Sequence, residues 1–133
     1  MSISGIRDAI KTGLETISGL KAYDTVPDVI RTPCAFVLPK LGEYDFTAST
    51  SCYRMDMEIT LLIGRQGDIQ ASQDAIDGYI APAGAGSVKA AVEGADFGIH
   101  ADSIRVKGFK DYGSFTFSGT QYLGVRFDVD VLV

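Results

Sequence analysis

Two segments of strict alternation constrain the fold of this chain more than any other feature. Between Tyr53 and Ile63 every second residue is apolar, and the residues between them up to Thr60 are polar or charged. The segment from Tyr122 to Val133 alternates in the same way, with apolar residues at the odd positions from Leu123 onwards. Because successive side chains of a strand point to opposite faces, each segment predicts a strand with one buried and one wet face.

Helical periodicity appears in three other places. Apolar residues at helical spacing predict an amphipathic helix from Ile3 to Leu20, with Gly19 as its stop. A second helix is expected from Ile69 to near Pro82, and a short third helix from Ser87 to Glu93.

Three further strands complete the expected order. The run CAFVLP, enclosed by Pro33 and Pro39, predicts a short buried strand that ends at the second proline. Residues Ile104–Lys110 and Phe115–Phe117 predict two more extended pieces. This order predicts a single domain, residues 1–133, of the α+β class: a two-layer sandwich with helices packed on one face of a mostly antiparallel sheet.

The charge balance argues against nucleic-acid binding. The chain carries 12 basic and 17 acidic residues, a formal charge of -5, and its basic residues are scattered. Binding to a phosphate backbone needs concentrated Lys and Arg. Charged residues also interrupt the apolar positions of the N-terminal segment, so it predicts neither a signal peptide nor a membrane span. We expect a soluble protein.

The inventory of cysteine and histidine is small. Cys34 and Cys52 are the two cysteines, and His100 is the single histidine. This inventory predicts no metal site, because four-ligand zinc would need carboxylates or a neighbouring chain. We expect both cysteines to be reduced, buried packing residues and His100 to be an ordinary loop residue.

The segment from Gly84 to Lys89 resembles a phosphate-binding loop only superficially. It has no glycine before the lysine, and Ala90 follows where the loop needs Ser or Thr. We predict instead that the glycines turn the chain and that Ser87 caps the next helix. An anion at that helix start, beside Lys89, remains an alternative.

The wet faces of the two alternating strands carry rows of charge, at Arg54, Asp56 and Glu58 and at Arg126, Asp128 and Asp130. Paired carboxylates on one face can perform acid-base chemistry. A solvated face with cross-strand ion pairs is the interpretation we favour, because no nucleophile or histidine stands near in sequence. A third interpretation places these rows against another subunit or a channel. We predict no catalytic residues.

The alternation changes phase before Phe115 and Phe117. Ile104 and Val106 would face the core at even positions, whereas the two phenylalanines are odd. Either a bulge near Gly108 or Gly113 resets the register, or the aromatic rings leave the core on a projecting arm that contacts a partner.

Four segments together carry a family resemblance. They are "ISGLKAYDTVPDVIRTPCAFVLP" after the first helix, "YDFT" before the alternating strand, "ASQDAIDGYIAPAGAGSVKAAVEG", and the closing "GTQYLGVRFDVDVLV". Through these segments the chain resembles, nearly end to end, the tail terminator and tail-completion proteins of long-tailed (siphovirus-type) bacteriophages.

The resemblance implies a structural role without a cofactor. Proteins of this family are α+β domains that assemble as a ring, typically a hexamer, on the head-proximal end of the tail tube. The implied partners are further copies of the chain, the tail tube protein and head-completion or connector proteins. DNA would pass through the ring without specific binding, and the protein would lie in the virion tail or neck after assembly in the host cytoplasm.

On this interpretation two sets of residues are site candidates. The charged rows would line the channel or an inter-subunit contact. Candidate contacts to neighbouring subunits or the tube are Tyr44, Phe46, Tyr112, Phe115 and Phe117. Two alternatives stay open: a head-completion or connector protein of the same neck, and a small cytosolic enzyme or ligand-binding domain with its pocket at the turn from Gly84 to Lys89.

Overall fold

Three helices and five strands make up the described part of the chain. The computed structural model describes residues 3–23, 29, 31–44, 53–65, 69–84, 86–95, 103–117 and 119–132. The elements in chain order are α1 (Ile3–Glu15), β1 (Lys21–Tyr23), β2 (Cys34–Tyr44), β3 (Tyr53–Arg65), α2 (Ile69–Ile80), α3 (Val88–Glu93), β4 (Ser103–Phe117) and β5 (Thr120–Leu132).

The five strands form one mixed sheet in the order β1-β2-β3-β5-β4. Strand β1 runs parallel to β2, and the other three pairings are antiparallel. The predicted α+β class and the mostly antiparallel sheet are therefore confirmed. The parallel strand β1 was not predicted, because three residues are too few to show a period.

The main core lies between the sheet and the helices. The apolar rows of β3 and β5 supply its centre, and α1, α2 and α3 cover them. Because α1 places Ile6, Ile10 and Leu14 one helical turn apart, these side chains form a single stripe on the sheet and are fully buried. From α2 and α3 the fully buried side chains are Ile76, Val88 and Val92.

The opposite face of the sheet is only partly wet. Cys34 lies directly opposite Leu62, and Leu62 shares a face with the charged row of β3. These two residues pack with Phe36, Phe115 and Tyr122, all buried, in what we call the second cluster. The prediction of one wet face is therefore wrong at this end of the sheet.

Two predicted element ends also differ. Helix α1 ends at Glu15, five residues earlier than predicted, and a turn follows in which Gly19 has a φ of +80°. Strand β2 does not end at Pro39 but continues to Tyr44 through a register shift between Pro39 and Leu41. β1 pairs with β2 only as far as Phe36, so the missing amide hydrogen of Pro39 leaves no gap in that pairing.

The two predicted pieces near the C-terminus are one strand. β4 runs unbroken from Ser103 to Phe117, with bulges between Val106 and Gly108 and between Lys110 and Gly113. Each bulge reverses the side-chain phase and the two together restore it, so Phe115 lies opposite Tyr122 on the face of the charged rows, where the second cluster buries it. The bulged strand, rather than the projecting arm, is the alternative that the structure shows for this residue.

Gly124 lies on β5 directly opposite Leu62 of β3. A β-carbon at this position would collide with the carbonyl oxygen of Leu61 and would stand 3.1 Å from side-chain atoms of both Leu62 and Phe115. The backbone neighbours are held in the ladder, so they have no room to move. Only glycine fits at this position.

We expect Gly124→Ala to lower the free energy of unfolding by about 2 kcal/mol or more, because the added methyl group must push the ladder or the second cluster apart. Urea denaturation measures the loss. Gly108→Ala is the matched control, since a β-carbon there meets no atom within 4 Å. Equal losses in the two variants would contradict the steric cause.

Candidate functional site

The charged rows meet in an ion-pair network across three strands. Asp56 lies opposite Asp130, and Glu58 lies opposite Asp128, so four carboxylates stand close together. The cations that separate them come from all three strands. Arg54 Nε donates to Asp130 at 2.7 Å, and Lys110 Nζ lies 3.2 Å from Glu58 and 3.1 Å from Asp128.

Glu58 is the centre of this network. Its carboxylate forms ion pairs with Lys110 and with Arg126, and its side chain is only 15% exposed. Arg126 also pairs with Asp111 at 3.4 Å, and its guanidinium lies 4.8 Å from the centre of the Phe115 ring. Arg126 therefore joins the network to the second cluster.

The described charges on this face balance. Five cations (Arg54, Arg105, Lys107, Lys110 and Arg126) stand against five carboxylates (Asp56, Glu58, Asp111, Asp128 and Asp130). Each of these carboxylates already faces a cation, which favours an ion-paired face over paired acid-base catalysts. A balanced face produces little net field toward DNA. Whether it lines a channel or a subunit contact stays a prediction.

We expect Glu58→Gln to lower the free energy of unfolding by about 1 kcal/mol, because Lys110 and Arg126 lose a poorly solvated partner. Urea denaturation in low and high salt measures this change, and the loss should shrink in high salt. Glu15→Gln is the matched control: Glu15 pairs with Lys11 at 3.6 Å with half of its side chain exposed. A loss as large in that variant would contradict the special position of Glu58.

The turn before α3 has the capping geometry that its sequence predicts. Ser87 adopts φ -70° and ψ 121°, and its hydroxyl oxygen accepts from the Ala90 amide at 3.1 Å. The same hydroxyl donates to the Ala81 carbonyl oxygen, and Lys89 pairs with Glu93. Gly94 is the C-cap, so the helix ends at Glu93 as predicted. The serine and the lysine that an anion would need are thus already engaged, Ser87 within the turn and Lys89 along α3.

Glu93, the last residue of α3, contacts the edge of the sheet. Its carboxylate accepts from the backbone amide of Val106 at 2.9 Å and pairs with Lys89. Partial burial opposes ionisation and acts to raise the pKa of Glu93. Hydrogen bonds from Lys89 and the Val106 amide, together with the charges of Lys89 and Arg105, outweigh it and leave the pKa lowered.

A lowered pKa in the folded state makes the contribution of Glu93 depend on pH. The ionised carboxylate stabilises the fold above the ordinary glutamate pKa, and this stabilisation is lost as the pH falls through the lower folded value. We therefore expect wild type to melt at a higher temperature than Glu93→Gln at pH 7, and the difference to shrink toward pH 3. A difference independent of pH would contradict the role of the charge.

The predicted contact residues differ in how exposed they are in the structure. Tyr112 is 41% exposed, as a contact residue should be, whereas Phe115 is buried in the second cluster and presents little surface to a partner. The side chains of Tyr44 and Phe117 and the whole of Phe46 lie outside the described residues.

Phe109 is an exposed aromatic residue that the sequence did not indicate as a contact. It is 53% exposed, and it lies on the edge strand β4 opposite the buried Phe127. In the sequence Phe109 stands at an odd position, like Arg105 and Lys107, so alternation alone would place it on their face of the sheet. The bulge after Val106 reverses the alternation and places Phe109 opposite Phe127 instead.

The described part of the chain offers little for metal or nucleophile chemistry. Burial raises the pKa of the Cys34 thiol to about 11, so it stays protonated at neutral pH and serves the packing, as predicted. Cys52 and His100 lie outside the described residues. Within those residues no group of three potential ligands is placed to hold a metal ion.

A shallow groove of about 640 Å³ runs between α1 and α3. Small residues line it, including Gly13, Ala91 and Ala95, and Asp8 is the charged residue in its lining. A ligand site usually has several convergent polar groups in an enclosed cavity, which this groove does not provide. None of the described helices has the length and apolar character needed to cross a membrane.

Comparison with models of known protein families finds no match to this chain. Comparison with curated protein sequences finds none either.

Proposed function

We propose that this chain is a structural virion protein that forms a ring on the head-proximal end of a phage tail tube. The ring would end tube polymerisation and join the tail to the head. The sequence resemblance supplies the assignment, and the exposed aromatic edge of β4 is the structural observation that supports it.

Phe109 and Tyr112 make this edge suitable for a protein contact. They are two of the large apolar side chains that remain exposed in the described residues, and both lie on the outer strand of the sheet. Exposed aromatic residues are enriched at protein interfaces, because each buries a large area at a small cost in conformational entropy. We assign the subunit or tube contact to this edge in place of Phe115.

The two edges of the described sheet are unlike, which suits a closed ring. One edge is the three-residue strand β1, and the other is the 15-residue strand β4. Contacts between unlike surfaces repeat head to tail, and they close into a ring when the rotation between subunits is right. Such a ring offers one face to the tube and the other to the head-completion proteins.

The polar groups of the charged sheet face and of the turn before α3 already have partners within the chain, which also supports a contact role. The described charges on that face of the sheet balance one another. Ser87 forms hydrogen bonds within its turn, and Lys89 pairs with Glu93 of the same helix. A ligand-binding domain or an enzyme would need convergent groups that are free to meet a substrate. A head-completion or connector protein, which would share ring assembly, is the nearer alternative.

Native mass spectrometry over a range of protein concentrations, followed by negative-stain imaging, tests the proposal. We expect closed rings of one size. A monomer at every concentration, together with a melting temperature that rises when nucleotides are added, would favour the ligand-binding alternative. Rings that bind head-completion proteins but not tail tubes would favour the connector.

We expect the double variant Phe109→Ser/Tyr112→Ser to stay folded and to lose most of its ring population, because the contact loses both aromatic anchors. The same mass spectra measure the ring fraction. Leu38→Ser is the matched control, since Leu38 is 38% exposed but lies on β2, away from this edge. An equal loss of rings in both variants would contradict the assignment.

Phe115→Asp is expected to behave differently. A carboxylate in the second cluster has no apolar packing and lies among buried side chains, so the variant should lower the stability of the subunit itself. If Phe115→Asp stays folded and stable but fails to assemble, Phe115 is a contact residue after all.

A further inference from the structure

We propose that Glu93 is a latch that closes the outer edge of β4, the last strand of the described sheet, against addition of another β-strand, namely β4 of a second copy of this chain. The latch is a property of the single subunit, whether or not the chain forms a ring.

The geometry of β4 identifies the group that the latch covers. Val106 lies opposite Val129 of β5, yet its amide hydrogen is donated to Glu93 on the outer side. In an antiparallel ladder the amide and carbonyl groups of alternate residues point away from the partner strand. The Val106 amide is therefore one of the outward groups that a further strand would use.

The helix itself gains little from a glutamate at this position. Glu93 is the last residue of α3, where the negative end of the helix dipole disfavours a carboxylate. Its partner Lys89 precedes it by four residues, which is the weaker order for such a pair. Besides its pair with Lys89, the carboxylate contacts the edge amide, and this hydrogen bond to the sheet is the stronger reason for the position of Glu93.

Other features of the edge point to the same protection. The bulges after Val106 and Lys110 disturb the regular spacing of outward groups, and Asp111 has a φ of +53°. Natural sheets protect their outer strands in these ways, by bulges, charged side chains and covering groups. Unlike a bulge, however, a side chain can be displaced.

The occupant that this edge fits is a second β4 in antiparallel orientation. A pair centred on Phe109 would bring the two Phe109 rings together. It would also bring Lys107 of each copy close to Asp111 of the other, so opposite charges meet along the strand. Within the subunit Lys107 pairs with Asp56, and Asp111 pairs with Arg126. Strand addition of this kind makes main-chain hydrogen bonds along the edge.

Amide exchange measured by NMR tests the latch directly. In Glu93→Ala we expect the Val106 amide to exchange about tenfold faster than in wild type, because a hydrogen bond to a charged group is lost. Sedimentation should show more self-association than wild type as the concentration rises.

Glu93→Gln retains an acceptor oxygen, so its Val106 exchange should stay near the wild-type rate. Glu93→Ser, whose side chain is too short to reach the edge, should repeat the alanine result.

Two controls separate the latch from simpler causes. Glu15→Ala removes a glutamate from an equivalent Lys-Glu pair on α1 that does not contact the edge, so it should change neither readout. Adding Asp111→Lys to Glu93→Ala should abolish the extra association, because Lys107 and the new lysine repel across the pair. Wild-type exchange and mass in both Glu93→Ala and Glu93→Ser would overturn the latch, and association that survives Asp111→Lys would overturn β4 as its occupant.

Discussion

The antiparallel pairing of β3 with β5 at the centre of the sheet is the contact on which the other elements depend. It brings the two alternating segments side by side, so their apolar rows form one continuous surface and their charged rows form another. Helices α1, α2 and α3 pack on the first surface. Burial of this surface supplies most of the apolar area that the fold removes from water, and the hydrophobic effect makes such burial the dominant favourable term.

The second surface combines two kinds of interaction that are usually separate. At one end the second cluster buries apolar side chains, and at the other the ion pairs around Glu58 cross three strands. Arg126 belongs to both, since it pairs with Glu58 and lies over the Phe115 ring. A charged group placed against an aromatic ring and a poorly exposed carboxylate is held in one orientation. These contacts order this face of the sheet, while the described helices pack on the other face.

In the function proposed above, strand β4 carries the contact with other molecules. It holds Phe115 in the second cluster and leaves Phe109 and Tyr112 exposed on the outer strand of the described sheet, beside backbone groups that β5 does not use. Glu93 covers one of those groups from α3. The same edge thus carries aromatic side chains suited to a specific contact and a carboxylate that opposes unspecific strand addition. A subunit that must assemble in one way only has a physical reason to carry both.

The sequence by itself determined the class of the fold, because its signals are local. Alternation over Tyr53–Ile63 and the capping pattern at Ser87 depend only on neighbouring residues, and the structure contains both. The charged rows were also predicted, though their partners Lys107 and Lys110 were not. The tertiary structure alone decided the parallel strand β1, the continuation of β2 past Pro39, the burial of Phe115 and the contact of Glu93 with Val106. Each depends on which strands become neighbours and on where a bulge shifts the register, and a one-residue shift reverses the face of every side chain that follows.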